Sequence, residues 1–126
     1  MGDKVKVLLA EDEFLISLTL KTQLEAMGYE VVATPQDGAK AVALTCQLRP
    51  DVVLMDIGMP GMDGIAATQA IMAQRPTPVV MLTAYNDKQR ITLAEQAGAV
   101  CYLLKPVVNA QLHDAIQHAL RMGVQL

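Results

Sequence analysis

The stretch Asp51-Val52-Val53-Leu54-Met55-Asp56-Ile57-Gly58-Met59-Pro60-Gly61-Met62-Asp63-Gly64 decides how the rest of the chain reads. Its apolar run from Val52 to Met55 is short and bounded by Pro50 before it and by Gly and Pro after it. That pattern predicts a strand buried on both faces, then a tight turn. Asp56 then sits at the strand's C-terminal tip. In an open parallel α/β sheet, ligands bind at that edge, in the crevice where the strand order reverses. One carboxylate after one strand proves little, so the reading turns on whether other strands bring partner groups to the same edge.

Towards the N-terminus, Val5, Val7, Leu8, Leu9 and Ala10 predict a first strand, with Glu11 and Asp12 directly at its end. Ile16, Leu20, Leu24 and Met27 share one face of a helix that Gly28 closes. Val31, Val32 and Ala33 form a short second strand with polar neighbours, suited to a sheet edge. Asp37 and Gly38 open a second helix with Ala41, Leu44 and Leu48 on one face, and the Arg49-Pro50 step ends it. Beyond the central stretch, Asp63 and Gly64 lead into a third helix over about 65–74. Val79 to Leu82 form a fourth buried strand with Thr83 at its end. Asn86 or Asp87 caps a fourth helix with Ile91, Ala94 and Ala97 inward, up to Gly98. Val100 to Leu104 make a fifth strand that Lys105 and Pro106 terminate. Asn109 is the expected cap of a last helix burying Leu112, Ile116 and Ala119.

Strands alternating with helices imply a parallel sheet covered on both faces. The expected fold is α/β and flavodoxin-like, with five strands in the order 2-1-3-4-5 and five helices. In that order the first and third strands flank the switch point. Glu11, Asp12 and Asp56 then meet in one crevice, with Thr83 and Lys105 arriving from the next two strands.

At 126 residues, 52% of them hydrophobic, the chain suits a single domain spanning 1–126 with a core of about 5–122. A net charge of -3 and no basic run argue against direct binding of nucleic acid or an anionic membrane. Cys46 and Cys101 lie within apolar patterns and read as reduced core thiols, which suits the cytoplasm. The first residues are too few and too polar for a signal peptide or a span, and Lys6 stands where a myristoylation motif needs Ser or Thr. The eight Met residues read as core filler beside one Phe and no Trp. His113 and His118 are five apart, off the spacing that pairs ligands on a helix face, and read as solvated.

Three carboxylates a few ångströms apart repel one another and rise in pKa unless they share a cation. Mg²⁺ is the natural one, since it takes oxygen ligands and is held by one or two carboxylates together with phosphate oxygens. Asp56 is then placed to attack phosphorus and carry an aspartyl phosphate. Lys105 supplies a compact positive charge for a phosphoryl oxygen, and Thr83 a hydroxyl for another. Taken singly, each has a plainer reading: Asp12, Asp63 and Asp87 as caps, Thr83 as a strand end, Lys105 as part of a structural ion pair.

The acidic pair Glu11-Asp12, Asp56 followed by Met59-Pro60-Gly61-Met62-Asp63-Gly64, Thr83-Ala84 and Lys105-Pro106 resemble the receiver domain of bacterial two-component response regulators. The likeness runs from about Val5 to Ala119. It implies that Asp56 accepts a phosphoryl group from a sensor histidine kinase or histidine phosphotransfer protein. It implies Mg²⁺ held by Asp12, Asp56 and the Gly58 backbone carbonyl, with Glu11 acting directly or through water. Thr83 and Lys105 would contact the phosphoryl group, and Tyr102 would change rotamer with Thr83. The fourth helix, fifth strand and fifth helix would meet an output domain or downstream protein, or a second copy in a homodimer, and Lys105-Pro106 would be cis. Such a domain catalyses only its own phosphorylation and dephosphorylation.

Two features depart from the common pattern: the acidic pair is Glu-Asp, and Gly58 leaves the site open to water or a partner. Pro35 is an oddity without evident functional weight. A haloacid-dehalogenase phosphatase wants a second Asp where Gly58 stands. A nucleotide-binding loop ending in Gly-Lys-Ser or Gly-Lys-Thr is absent, and Glu11, Asp12 and Glu13 would repel a flavin phosphate. The remaining alternative is an interaction module of this fold that works without phosphorylation.

Overall fold

The computed structural model describes residues 3–84 and 88–124. Five strands, β1 (Lys6–Ala10), β2 (Glu30–Ala33), β3 (Val52–Asp56), β4 (Val79–Thr83) and β5 (Cys101–Leu104), form one parallel sheet in the order β2-β1-β3-β4-β5. Between and after them run α1 (Phe14–Ala26), α2 (Gly38–Leu48), α3 (Gly64–Gln74), α4 (Lys88–Ala97) and α5 (Asn109–Met122). The expected architecture and strand order are those observed. The caps expected at Asn86 or Asp87 lie outside the described residues.

The sheet has two cores because alternate residues of a strand face opposite sides. Val7, Leu9, Leu54 and Leu82 pack with Leu20 and Leu24 of α1 and with Leu112, Ile116 and Ala119 of α5. Leu8, Ala10, Val53, Met55 and Met81 pack with Ala41 of α2, Ile71 of α3 and Ala94 of α4. Strands β3 and β4 are buried at every position, which is why their sequences read as unbroken apolar runs.

Local chemistry fixes several helix ends. Asp37 and Asp63 cap α2 and α3, accepting hydrogen bonds of 2.8 Å from the backbone N–H of Lys40 and of Ala66. Some expectations need correction. Val108, not Asn109, is the N-cap of α5; the Asn109 Oδ1 instead accepts from Gln23 Nε2 at 2.6 Å, tying α5 to α1. Leu48 is exposed, and Thr45, whose hydroxyl donates to the Ala41 carbonyl at 2.7 Å, takes the buried position on α2. His113 is not merely solvated, because its Nδ1 lies 2.8 Å from the hydroxyl of buried Tyr29. Met62 and Met122 are exposed rather than core filler. Both cysteines are free and only partly buried.

Candidate functional site

Every group singled out at the strand ends arrives at the C-terminal edge of the sheet. β1 leads directly into Glu11 and Asp12, β3 ends on Asp56, β4 on Thr83, and Lys105 follows β5. Carboxylate oxygens of Glu11, Asp12 and Asp56 all lie within 4.8 Å of one another. Lys105 Nζ is 2.7 Å from Glu11 Oε2 and 3.1 Å from Asp56 Oδ1. Asp12, Asp56, Gly58, Thr83, Lys105 and Arg90 line a small cavity of about 120 Å³. The Lys105-Pro106 bond is cis.

Glu11 is completely buried, while Asp12 is half-buried. The Glu11 N–H donates to the Pro35 carbonyl at 3.1 Å, which ties the end of β1 to the segment after β2. Glu11 Oε1 accepts from the Glu13 N–H at 3.2 Å, and Oε2 faces Lys105 in a close ion pair that is not a well-directed hydrogen bond.

Burial sets the electrostatics. It raises the Glu11 carboxyl above the ordinary carboxylate range, against the pull of Lys105, and the negative charge of Asp56 adds to the rise. Burial also raises Asp56; the Lys105 charge opposes it, and a hydrogen bond with the Asp12 carboxyl reinforces it. For Lys105 burial would lower the pKa, but the Glu11 and Asp56 carboxylates outweigh it and the net shift is upward. The cavity therefore holds more negative charge than one ammonium balances. Such a set of hard oxygen donors fits a divalent cation such as Mg²⁺.

The loop after Asp56 is clamped by backbone contact. A Cβ at Gly64 would come 2.2 Å from the Asp56 carbonyl oxygen, and one at Gly38 would come 2.1 Å from the Met62 carbonyl oxygen. The starts of α3 and α2 thus press on either end of the loop. A Cβ at Gly58 would meet nothing within 4 Å, so the cavity is open there. Gly38 thus both opens α2 and seats the loop, and Arg90, a cation in the first turn of α4, joins the cavity without having been expected there from the sequence.

Two apolar surfaces adjoin the site. Tyr102 is 41% exposed on β5, opposite Met81 in register, with Leu104 and Leu93 exposed nearby in sequence on β5 and α4. A groove of about 460 Å³ lies between α1 and the Pro106-Val107 segment, reaching Lys105; its walls include Ile16, Leu20 and Gln23. Among the described residues no helix is long and apolar enough to cross a membrane.

Comparison with known proteins gives one family. The model described as "Response regulator receiver domain" matches residues 7–117. The Transcriptional regulatory protein PdtaR of Mycobacterium tuberculosis is 43% identical over 114 residues, covering 90% of this chain and 56% of that protein. The Protein-glutamate methylesterase/protein-glutamine glutaminase of Haloarcula marismortui is 42% identical, covering 84% of this chain and 29% of its own length. The signal receiver domain of the putative response regulator NarL from Mycobacterium tuberculosis superimposes with a TM-score of 0.90 at 30% identity, covering 95% of this chain and 98% of that one. The chain thus spans about half, or less, of the curated relatives named here.

Proposed function

Because this chain belongs to the response regulator receiver domain family, we propose that Asp56 is the phosphoacceptor of a two-component signalling switch. The observation that carries this is the convergence of Glu11, Asp12, Asp56 and Lys105 on one cavity that Thr83 also lines. An Asp56 carboxylate oxygen attacks the phosphorus of a phosphohistidine; the P–N bond breaks and the imidazole leaves with its electron pair. Lys105 and Thr83 neutralise and orient the phosphoryl oxygens.

When bound, Mg²⁺ would screen the acidic cluster and draw charge from the transferring oxygens. Asp12, Asp56 and the Gly58 carbonyl would hold it. Glu11, whose Oε1 accepts from the Glu13 N–H and whose Oε2 pairs with Lys105, would act through water. The phosphoryl group brings a charge of about -1.5 to -2. Two or three charge-assisted hydrogen bonds, at roughly 1.5 to 3 kcal/mol each, suffice to bias a two-state element. Thr83 moves toward the phosphate and Tyr102 turns inward, changing the face formed by α4, β5 and α5.

A sensor histidine kinase or phosphotransfer protein is the donor, and the apolar groove beside Lys105 suits a partner that must deliver its phosphohistidine to Asp56. Output through the α4-β5-α5 face, with a downstream domain or in a homodimer, and a cytoplasmic setting belong to the same reading. The deciding experiment is incubation with a small phosphodonor and Mg²⁺, followed by an assay for acid-labile phosphate. Label on the parent and none on Asp56→Asn supports the proposal; no label on the parent leaves the phosphorylation-independent interaction module in its place.

A further inference from the structure

Lys105 is only partly available to a phosphoryl group, because its shorter contact is with Glu11 rather than Asp56. Once Asp56 carries phosphate, Glu11, Asp12 and the aspartyl phosphate outweigh Lys105 and a divalent cation by about one negative charge. Glu13 at the mouth is exposed and screened. A second cation stands at the same cavity: Arg90, half-buried in the first turn of α4. α4 is fixed on the sheet by buried Ile91, Ala94 and Ala97, which sets where the residue preceding Ile91 emerges.

We propose that Arg90 is a second phosphoryl-contacting residue, whose guanidinium donates N–H groups to oxygens of the aspartyl phosphate and thereby couples the start of α4 to the phosphorylated state. This rests on Asp56 being the acceptor. Arginine suits the role because it stays charged and its planar fork matches two phosphate oxygens. It also links the charge at Asp56 to α4 without passing through Thr83 and Tyr102.

The test uses beryllofluoride with Mg²⁺ as a phosphoryl mimic on the full chain, binding being followed by fluorine NMR, and Mg²⁺ alone by calorimetry. Arg90→Ala raises the half-saturating beryllofluoride concentration about tenfold, Arg90→Lys restores part of it, and Mg²⁺ alone binds as well as to the parent or better. Lys88→Ala, an exposed charge in the same turn, leaves beryllofluoride binding unchanged. Parental beryllofluoride binding by Arg90→Ala, an equal loss in Lys88→Ala, or an equal loss of Mg²⁺ binding by Arg90→Ala each overturns the proposal. Failure of the Asp56 reading shows separately, as beryllofluoride binding that survives in Asp56→Asn.

Discussion

Lys105 Nζ lies 2.7 Å from Glu11 Oε2, closer than to the Asp56 carboxylate, so the ammonium's first partner is a side chain with no exposure to solvent. Removing it strands a buried charge. We expect Lys105→Ala to lose about 3 kcal/mol or more at neutral pH, and less in mild acid, where Glu11 takes up a proton instead. Urea unfolding at two pH values checks this.

Asp56→Asn should have the opposite effect on stability. Burial holds the Asp56 carboxyl above its ordinary pKa, so its charge is a strain on the metal-free fold. The variant gains about 1 kcal/mol at neutral pH without Mg²⁺, and the gain shrinks when Mg²⁺ is saturating. Thermal melts of both proteins, with and without the ion, measure it.

The same shifts give the metal-free protein an unusual pH profile. Glu11 and Asp56 are raised in the folded state, so above the ordinary carboxyl range of about 4 the folded protein holds protons that the unfolded chain has lost. Stability therefore falls as pH rises through their raised values. Lys105, also raised, contributes stability that is lost only as pH climbs through its own folded value, above the lysine range. Mg²⁺ flattens or reverses the carboxylate slope. Melting temperatures from about pH 5 to about pH 8, with and without Mg²⁺, test the sign.

Thr83→Ala should separate chemistry from readout. The acceptor, the acidic cluster and Lys105 are untouched, so acid-labile phosphate still forms. On the proposed relay the phosphate-induced change in partner affinity should fall sharply, since the buried Thr83 hydroxyl at the end of β4 is gone. Equal changes in affinity for variant and parent would refute this.

A Cβ at Gly58 meets nothing within 4 Å, so a side chain can start there without a clash. Gly58→Leu is expected to leave unfolding stability within about 0.5 kcal/mol and to slow spontaneous loss of phosphate about threefold by shielding the phosphoryl group from water. Phosphate half-life after removal of the donor is the measurement.

Much of the architecture was legible because buried parallel strands advertise themselves. Val52 to Met55 and Val79 to Leu82 have no polar face to blur the pattern, and each run ends on a polar side chain, Asp56 or Thr83. The convergence of Asp56, Glu11, Asp12, Thr83 and Lys105 followed from strand order alone. What stayed hidden depends on contacts between distant segments. Asn109 looked like a cap, but a glutamine 86 residues away claims its side chain. Tyr29 finds His113 across the fold. Arg90 shares the first turn of α4 with Lys88, and its place in that turn was the one mark it carried.

The glycines at 38 and 64 shape this edge by what they lack. A chain with every polar group intact but alanine at both positions would have no room for the carbonyls of Met62 and Asp56, and the loop that carries Asp56 would be displaced. The geometry of the acidic cluster thus depends on two missing side chains as much as on the acids present.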